Sequence, residues 1–175
     1  MIREIDKSKI YVFIDSQNLN LGTSKDIYRG KKRIYSGWKL DYKKFRIYLT
    51  DKFNAEKVFL FIGFIPENQK LYDALKSYDY ELVFKPTIKD RIGKPKGNVD
   101  AELVLHTAKI QYENYNQAII VSGDGDFYCL HQYLKKEKKL LKIIIPNRKS
   151  ESSLLKRFQK EKVFLERERK KVELA

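Results

Sequence analysis

Residues 118–127 have the sequence AIIVSGDGDF, an apolar run of strand length followed by a short loop with two aspartates, at positions 124 and 126. The run 118–121 predicts a buried strand, and the glycines at 123 and 125 predict the turn that follows it. Ligands of open parallel sheets bind beyond the carboxyl ends of the strands. Asp124 and Asp126 are therefore well placed to hold a metal ion or to face a phosphate group.

A second apolar run ends in the same way. Residues 10–14 have the sequence IYVFI, and the next residue is Asp15. The carboxyl ends of parallel strands meet at one edge of a sheet, so we expect Asp15 to lie on the same edge as the two later aspartates.

Apolar runs and amphipathic segments alternate along the whole chain. The runs are mostly continuous, which is typical of strands covered on both faces. They predict strands at residues 10–15, 57–65, 80–86, 117–121 and 140–146, and helical patterns lie between them at 40–53, 66–78, 99–112 and 126–136. This order predicts an α/β three-layer sandwich with a mostly parallel central sheet of about five strands.

The composition is that of one globular domain. The 175 residues are 42% hydrophobic and 13% aromatic, enough to build a core, so a disordered chain is excluded. A single cysteine excludes an internal disulfide and a multi-cysteine zinc site, and apolar neighbours predict that Cys129 is buried in a helix. The charged N-terminus and short apolar runs predict neither a signal peptide nor a membrane span. We therefore expect a cytoplasmic protein.

The formal net charge is +14, and it is unevenly distributed. Residues 135–175 contain 15 Lys and Arg against 6 Asp and Glu. Such a surface favours polyanions such as nucleic acid or an acidic membrane, although a charge that serves only solubility is the alternative.

Two segments do not follow the alternation of strands and helices. Residues 22–37 form a basic insertion, a loop or small hairpin that either contacts substrate as a flap or is simply solvated. Residues 161–175 are rich in Glu, Lys and Arg and predict a frayed helical tail. We accordingly expect one domain over 1–160, followed by a charged tail over 161–175.

Asp100 is a fourth candidate acid. Pro95 and Gly97 break the chain shortly before it, which predicts that Asp100 lies in the first turn of a helix. The helix dipole stabilises a carboxylate at that position, so a structural role is an alternative to metal binding. Four acids at one edge of a sheet would repel one another unless a divalent cation offset their charge.

Three short motifs in order resemble the NYN domain, a family of PIN-like nucleases. They are VFID at 12–15 with Asn18 and Leu19, KGNVD at 96–100 with Glu102 and Leu103, and IVSGDGDF at 120–127. Each motif is weak alone, but the set in this order on these elements is specific. The resemblance covers residues 10–146, and the chain is most similar to the LabA-like bacterial branch.

The resemblance implies a Rossmann-like sheet, an acidic pocket for Mg²⁺ or Mn²⁺, and hydrolysis of RNA phosphodiester bonds. The implied acids are Asp15, Asp100, Asp124 and Asp126. Asn18 would orient Asp15 or contact phosphate, and Ser122 would bond a metal-bound water or a carboxylate. We expect Asp15 and Asp124 to be the principal ligands, with Asp100 and Asp126 acting through water or orienting the nucleophile.

The chain departs from the family pattern at two positions. His106 stands where many relatives have another acid, and its apolar neighbours predict a surface or packing residue. Gln159 lies near the position where relatives often have a late aspartate.

Basic and aromatic residues are the candidates for contacting RNA. We expect phosphate contacts from Lys94 and Lys96 beside the acids, from Lys31, Lys32 and Arg33 in the insertion, and from basic residues of 135–149. Tyr28, Tyr35 and Trp38 could stack on single-stranded bases or pack against the core, and for Trp38 packing is favoured.

Two other functions compete with the nuclease interpretation. A non-catalytic RNA-binding or regulatory module would keep the fold and lose cleavage. A metal-dependent phosphatase is disfavoured because the segment after Asp15 lacks a second acid two residues on. The sequence leaves open whether the protein forms a homo-oligomer.

Overall fold

A six-stranded parallel sheet organises the molecule. A computed structural model describes residues 8–85, 88–89, 95–96 and 99–175, and for 88–89 and 95–96 it describes the backbone alone. In chain order the strands are β1 (Ile10–Asp15), β2 (Ile27–Arg29), β3 (Lys32–Tyr35), β4 (Ala55–Gly63), β5 (Glu81–Lys85), β6 (Ile88–Lys89), β7 (Pro95–Lys96), β8 (Gln117–Val121), β9 (Leu140–Ile145) and β10 (Lys162–Phe164). The sheet has the order β10-β9-β8-β1-β4-β5 with every neighbouring pair parallel, while β2–β3 and β6–β7 form separate antiparallel hairpins.

Helices connect the strands of the sheet. They are α1 (Ser16–Ser24), α2 (Tyr42–Phe53), α3 (Gln69–Ser77), α4 (Asp100–Leu105), α5 (Tyr128–Lys136) and α6 (Arg169–Val172). The helix predicted over 99–112 is α-helical only to Leu105 and continues as a π-helical turn, His106–Ile110. Short 3-10 segments precede α3 and α5, and one of six residues, Ser153–Phe158, follows β9.

Alternation along the central strand places apolar side chains in both helical layers. In β1, Val12 and Ile14 belong to the core cluster that includes α1 and α2, whereas Phe13 belongs to the cluster that includes α4 and α5. Phe13 stacks on Phe59 of the neighbouring strand with ring centroids 5.3 Å apart. All six residues of β1 are buried, as expected of a strand covered on both faces. The predicted three-layer α/β fold with a mostly parallel sheet is therefore confirmed.

The sheet has one strand more than the five predicted from sequence. The sixth, β10, lies in the segment expected to be a frayed helical tail, and it pairs in parallel with β9. Beyond it, Leu165 and Val172 are fully buried, and the chain is helical from a 3-10 segment, Leu165–Glu168, through the four-residue α6. Three strand residues surrounded by charges are too few to give a periodic pattern, and tertiary burial overrides the helical propensity of Glu, Lys and Arg.

The segment after β1 also differs from the prediction. Residues 22–24 belong to α1 and not to an insertion, and the remainder folds as the β2–β3 hairpin with Gly30 at positive φ in its turn. Asn, Gly and Thr are poor helix formers, so the sequence of α1 gave no helical signal. In the described part of the chain, no helix combines the length and apolarity that a bilayer crossing requires.

Candidate metal centre

The first acid, Asp15, joins β1 to α1. It is the N-cap of α1, and its Oδ1 accepts a hydrogen bond of 3.0 Å from the Asn18 backbone N–H. A carboxylate is a favourable N-cap because it satisfies an amide that the first helical turn leaves unpaired. The Asp15 side chain is only 5% exposed, so this acid is built into the fold and does not stand open to solvent.

The loop after β8, residues 122–126, is tied to Asp15 through Ser122. The Ser122 side chain is buried. Its hydroxyl donates to Asp15 Oδ2 at 3.5 Å and accepts a hydrogen bond from the Asp124 backbone N–H at 3.1 Å. Asp124 Oδ1 in turn accepts the Asp126 backbone N–H at 3.0 Å and caps the short 3-10 turn that follows. One continuous set of hydrogen bonds therefore fixes the loop that carries both aspartates.

Asn18 supplies a second tie to the same loop. Its side-chain Oδ1 accepts a hydrogen bond from the Gly123 backbone N–H at 2.8 Å, while its own backbone N–H donates to Oδ1 of Asp15. Position 125 favours glycine for a steric reason, because a Cβ there would collide with the Ser152 hydroxyl. Its φ angle is not positive. The 122–126 loop is thus held between α1 and the segment that follows β9.

Asp100 completes the acidic set from the opposite helical layer. It is the first residue of α4, as predicted, and lies at the carboxyl edge of the sheet. Carboxylate oxygens of Asp100, Asp124 and Asp126 all lie within 4.8 Å of one another. Asp15 lies outside this group of three, but it lines the same cavity and is close enough to Asp100 and Asp124 for their charges to act on it.

The electrostatics of Asp15 follow from its burial beside the other acids. The pKa of Asp15 is raised to about 6, chiefly by burial and in smaller part by the charges of Asp100 and Asp124, against the lowering effect of the Asn18 backbone N–H. Loss of hydration and like charge both disfavour the ionised carboxyl. A cation among the acids would reverse the second effect, which is what a metal centre requires.

A cavity of about 870 Å³ opens over the acids. Its polar lining includes the side chains of α1 and of several strand ends, and its apolar lining comes from α1 and the end of β4. Besides Asp15, Asp100, Asp124 and Asp126, the lining residues include Gln17, Asn18, Leu21, Ile62, Asn68, Asn147 and Ser150. The space accommodates a nucleotide-sized ligand with access to solvent.

Asn147 is a cavity residue that the sequence analysis missed. It is fully buried, its Nδ2 donates to the Gly22 carbonyl at 3.2 Å, and its Oδ1 accepts the Lys149 backbone N–H at 2.7 Å. It follows the predicted strand 140–146 directly, so the rule that identified Asp15 and Asp124 would also have identified it. Asn68 and Gln17 lie outside strand ends and carried no comparable signal.

The β2–β3 hairpin stands at the rim of this cavity, which Lys25, Asp26 and Ile27 also line. Asp26 closes the hairpin base by accepting the Gly37 N–H at 2.8 Å and pairing with Arg33 at 3.2 Å. These two contacts hold the pKa of Asp26 below its usual range. Arg33 is thus engaged within the hairpin.

The other predicted contact residues have different positions. Lys31 and Lys32 are exposed near the hairpin turn, and Tyr28 is 57% exposed. Trp38 is buried in the core, as expected. Lys94 lies outside the described residues, and Lys96 is described only as backbone of β7.

Two further predictions concern residues away from the acids. Cys129 is exposed, so the expectation of a buried cysteine is wrong: it lies on the outer face of α5, whose inner face carries Leu130 and Leu134. His106 packs edge-on against Phe61 with ring centroids 5.3 Å apart, consistent with the predicted packing role. Burial lowers the pKa of His106.

Comparisons with known proteins agree with this architecture. No curated protein matches the chain. A crystal structure of a protein of unknown function from Vibrio parahaemolyticus matches it with a TM-score of 0.69 and 23% identity, over 94% of this chain and 96% of that one. That likeness shows the fold alone.

The sequence matches a family model across nearly all of its length. The model is that of the NYN domain and covers residues 9–166, from β1 to beyond β10. The matched range includes every acid of the candidate metal centre, and the match does not specify a LabA-like branch. The chain belongs to the NYN domain family.

Proposed function

We propose that the protein is a metal-dependent ribonuclease that hydrolyses RNA phosphodiester bonds internally, in the open cavity at the carboxyl edge of the sheet. The observation that carries the proposal is the convergence of Asp100, Asp124 and Asp126, whose carboxylate oxygens lie within 4.8 Å of one another. NYN domains have a PIN-like nuclease fold, so the family favours a hydrolase.

The donor set fits a hard divalent cation. Carboxylate oxygens are the ligands that Mg²⁺ and Mn²⁺ prefer, and an open cavity leaves room for waters and a substrate phosphate. Asp100, Asp124 and Asp126 would hold the ion, and the ion would offset the charges of Asp100 and Asp124 that add to the effect of burial on the pKa of Asp15. When bound, such an ion would activate water for in-line attack and stabilise the leaving oxygen.

Asp15, Ser122 and Asn18 act as positioning residues in this proposal. Ser122 links Asp15 to the Asp124 backbone, and Asn18 fixes Gly123 through its amide oxygen. Outer hydrogen bonds of this kind orient the groups that bind a metal. With its oxygen committed to Gly123, Asn18 has its amide nitrogen available to donate to a phosphate.

The basic surface around the cavity suits RNA. Lys31 and Lys32 at the hairpin turn would contact phosphates, and Lys94 and Lys96 would do so from the segment before α4. Arg33 would contribute only if it left Asp26. The exposed Tyr28 is a candidate for stacking on an unpaired base.

Cleavage assays with a matched control test the proposal. Wild type should cleave single-stranded or structured RNA with Mn²⁺ or Mg²⁺ and lose the activity in EDTA, and Asp124→Asn should be inactive. Asp73→Asn removes an exposed carboxylate of α3 and should cleave as wild type does. Activity that survives both EDTA and Asp124→Asn would refute the mechanism.

Two further readouts separate the alternatives. A circular RNA has no ends, so its cleavage requires internal hydrolysis, and degradation of the linear form only would overturn the endonucleolytic part. Salt-sensitive RNA binding without metal-dependent cleavage would identify a non-catalytic RNA-binding module instead.

A further inference from the structure

A strongly basic segment borders the candidate metal centre at the end of β9. Residues 148–160, here called the basic ridge, follow β9 and include the 3-10 segment Ser153–Phe158. The ridge starts at the cavity, since Ser150 lines it and the Ser152 backbone N–H donates to the Gly123 carbonyl at 3.1 Å. It then leads away from the acids along α5.

The ridge exposes only positive charge. All of residues 148–160 are described, and their exposed ionic side chains are Arg148, Lys149, Lys156, Arg157 and Lys160. The one acid in the segment, Glu151, is partly buried and paired with Lys162. None of the five cations forms an ion pair with a carboxylate in the described part of the chain. Their charge is therefore not compensated within the described part of the chain.

Packing beneath the ridge holds these cations in place. Leu155 and Phe158 are buried in a small core cluster with β9, and Phe158 packs against Tyr128 of α5. Arg157 donates to the Tyr128 hydroxyl at 3.1 Å. A phosphate-binding surface with a rigid backbone loses less entropy on binding than a mobile tail would.

We propose that the basic ridge binds the phosphates of the RNA strand on one side of the scissile bond, an inference that rests on the proposed function. The ridge is continuous with the cavity, so a strand whose phosphate lies at the acids can pass Ser150 and reach the cations of the ridge. An anionic membrane fits less well, because Leu154 is the one large apolar side chain exposed on the ridge and a membrane-binding face usually presents several.

The test measures RNA binding without cleavage. Affinity for a dodecamer and for a trinucleotide is measured in EDTA on the Asp124→Asn background, with and without K156Q, R157Q and K160Q together. The ridge variant should bind the dodecamer about tenfold more weakly, and its salt slope should fall by about 2, since each single-strand phosphate contact contributes roughly 0.7. Trinucleotide binding should not change.

Matched substitutions control for net charge and for folding. K76Q, K109Q and K170Q remove three exposed lysines from other elements and should leave dodecamer binding within about twofold. The double variant K156Q and K160Q keeps the Arg157–Tyr128 hydrogen bond and should show an intermediate loss. Equal losses in the ridge and control variants would overturn the proposal.

The outcomes also separate the ridge from the catalytic proposal. If wild type does not cleave RNA but the ridge variant loses dodecamer binding, RNA binding by the ridge is supported and the nuclease proposal is refuted. If wild type cleaves and the ridge variant binds the dodecamer normally, the ridge fails alone. Loss of binding to phosphatidylserine vesicles with unchanged RNA binding would identify a membrane surface and overturn the ridge proposal.

Discussion

Different kinds of interaction act on the two sides of the acidic loop 122–126. On the α1 side, buried polar groups hold it, through Asp15, Ser122 and Asn18. On the ridge side, the Ser152 backbone N–H donates to the Gly123 carbonyl, and apolar packing of Leu155 and Phe158 against β9 anchors the ridge itself. The polar side fixes where the carboxylates point, because hydrogen bonds are directional, whereas the apolar side supplies stability that is less sensitive to direction.

The same contrast separates the acids themselves. Asp15 is buried and committed to hydrogen bonds within the fold, whereas Asp126 is exposed and Asp124 partly so. A buried carboxylate that already has partners organises a site, and one with open oxygens can bind a ligand.

Removing a carboxylate from the group formed by Asp100, Asp124 and Asp126 should have the largest effect. Asp100→Asn is expected to lower metal-dependent RNA cleavage on the order of 10³-fold, because a charge that would stabilise the transition state through the metal is lost. Asp15→Asn should lower it only about 10- to 100-fold, since Asn still caps α1. Single-turnover cleavage rates measure both. An equal loss in the two variants would contradict the division.

A cavity on the apolar side should reduce stability. Leu155→Ala removes a fully buried side chain and is expected to cost about 3 kcal/mol of the free energy of unfolding. Urea denaturation measures this, with Leu154→Ala as the control because Leu154 is 50% exposed. At a temperature where the variant is folded, its affinity for Mn²⁺ should stay within about twofold of wild type. A large drop in affinity would mean that the apolar side also orients the acids.

Sequence reasoning succeeded where a strand is long and buried on both faces. β1, β8 and β9 were located to within a residue because continuous apolar runs end in polar residues, and the same rule placed Asp15 and Asp124 at one edge of the sheet. The helix start at Asp100 followed from the nearby Pro and Gly. These signals lie within one segment of the chain and can be recognised without knowing which other elements the segment packs against.

The parts that escaped prediction depend on contacts between distant residues. β10 exists because it pairs with β9, and α1 exists because Asp15 caps it and Leu19 packs into the core. The division between Asp15 and the other acids depends on burial and on a link to Ser122, 107 positions away. The sequence pattern of one segment does not reveal which distant residue that segment will contact.

Ser122 should affect metal binding more than stability. Ser122→Ala removes the hydroxyl that joins Asp15 to the Asp124 backbone, so affinity for Mn²⁺ is expected to fall about 10- to 100-fold. Calorimetric titration measures the affinity, and Ser77→Ala on exposed α3 serves as the control. Unchanged affinity would show that Asn18 alone holds the loop.

The two sides should respond to pH in opposite directions. Burial lowers the pKa of His131, which lies on the ridge side against Phe158, to about 4, so acidification destabilises the fold as the unfolded chain takes up the proton first. Asp15 has its pKa raised to about 6, so the folded state takes up that proton first and acidification stabilises the fold. Each effect amounts to about 1 kcal/mol between pH 7 and 5.5.

Single substitutions should expose the two contributions in metal-free protein. Over that pH interval, His131→Leu should gain about 1 kcal/mol relative to wild type, and Asp15→Asn should lose a similar amount. Denaturation at several pH values measures the differences. A parallel response of the two variants would contradict the assigned burial of one of the groups.

The central claim is that Asp100, Asp124 and Asp126 hold the divalent cation. The most direct measurement is anomalous diffraction from crystals of the protein soaked in Mn²⁺. The account predicts a manganese peak within ligand distance of these three carboxylates and no such peak in Asp124→Asn crystals. Crystals of the wild type with no manganese at these acids, or with manganese bound elsewhere only, would contradict it.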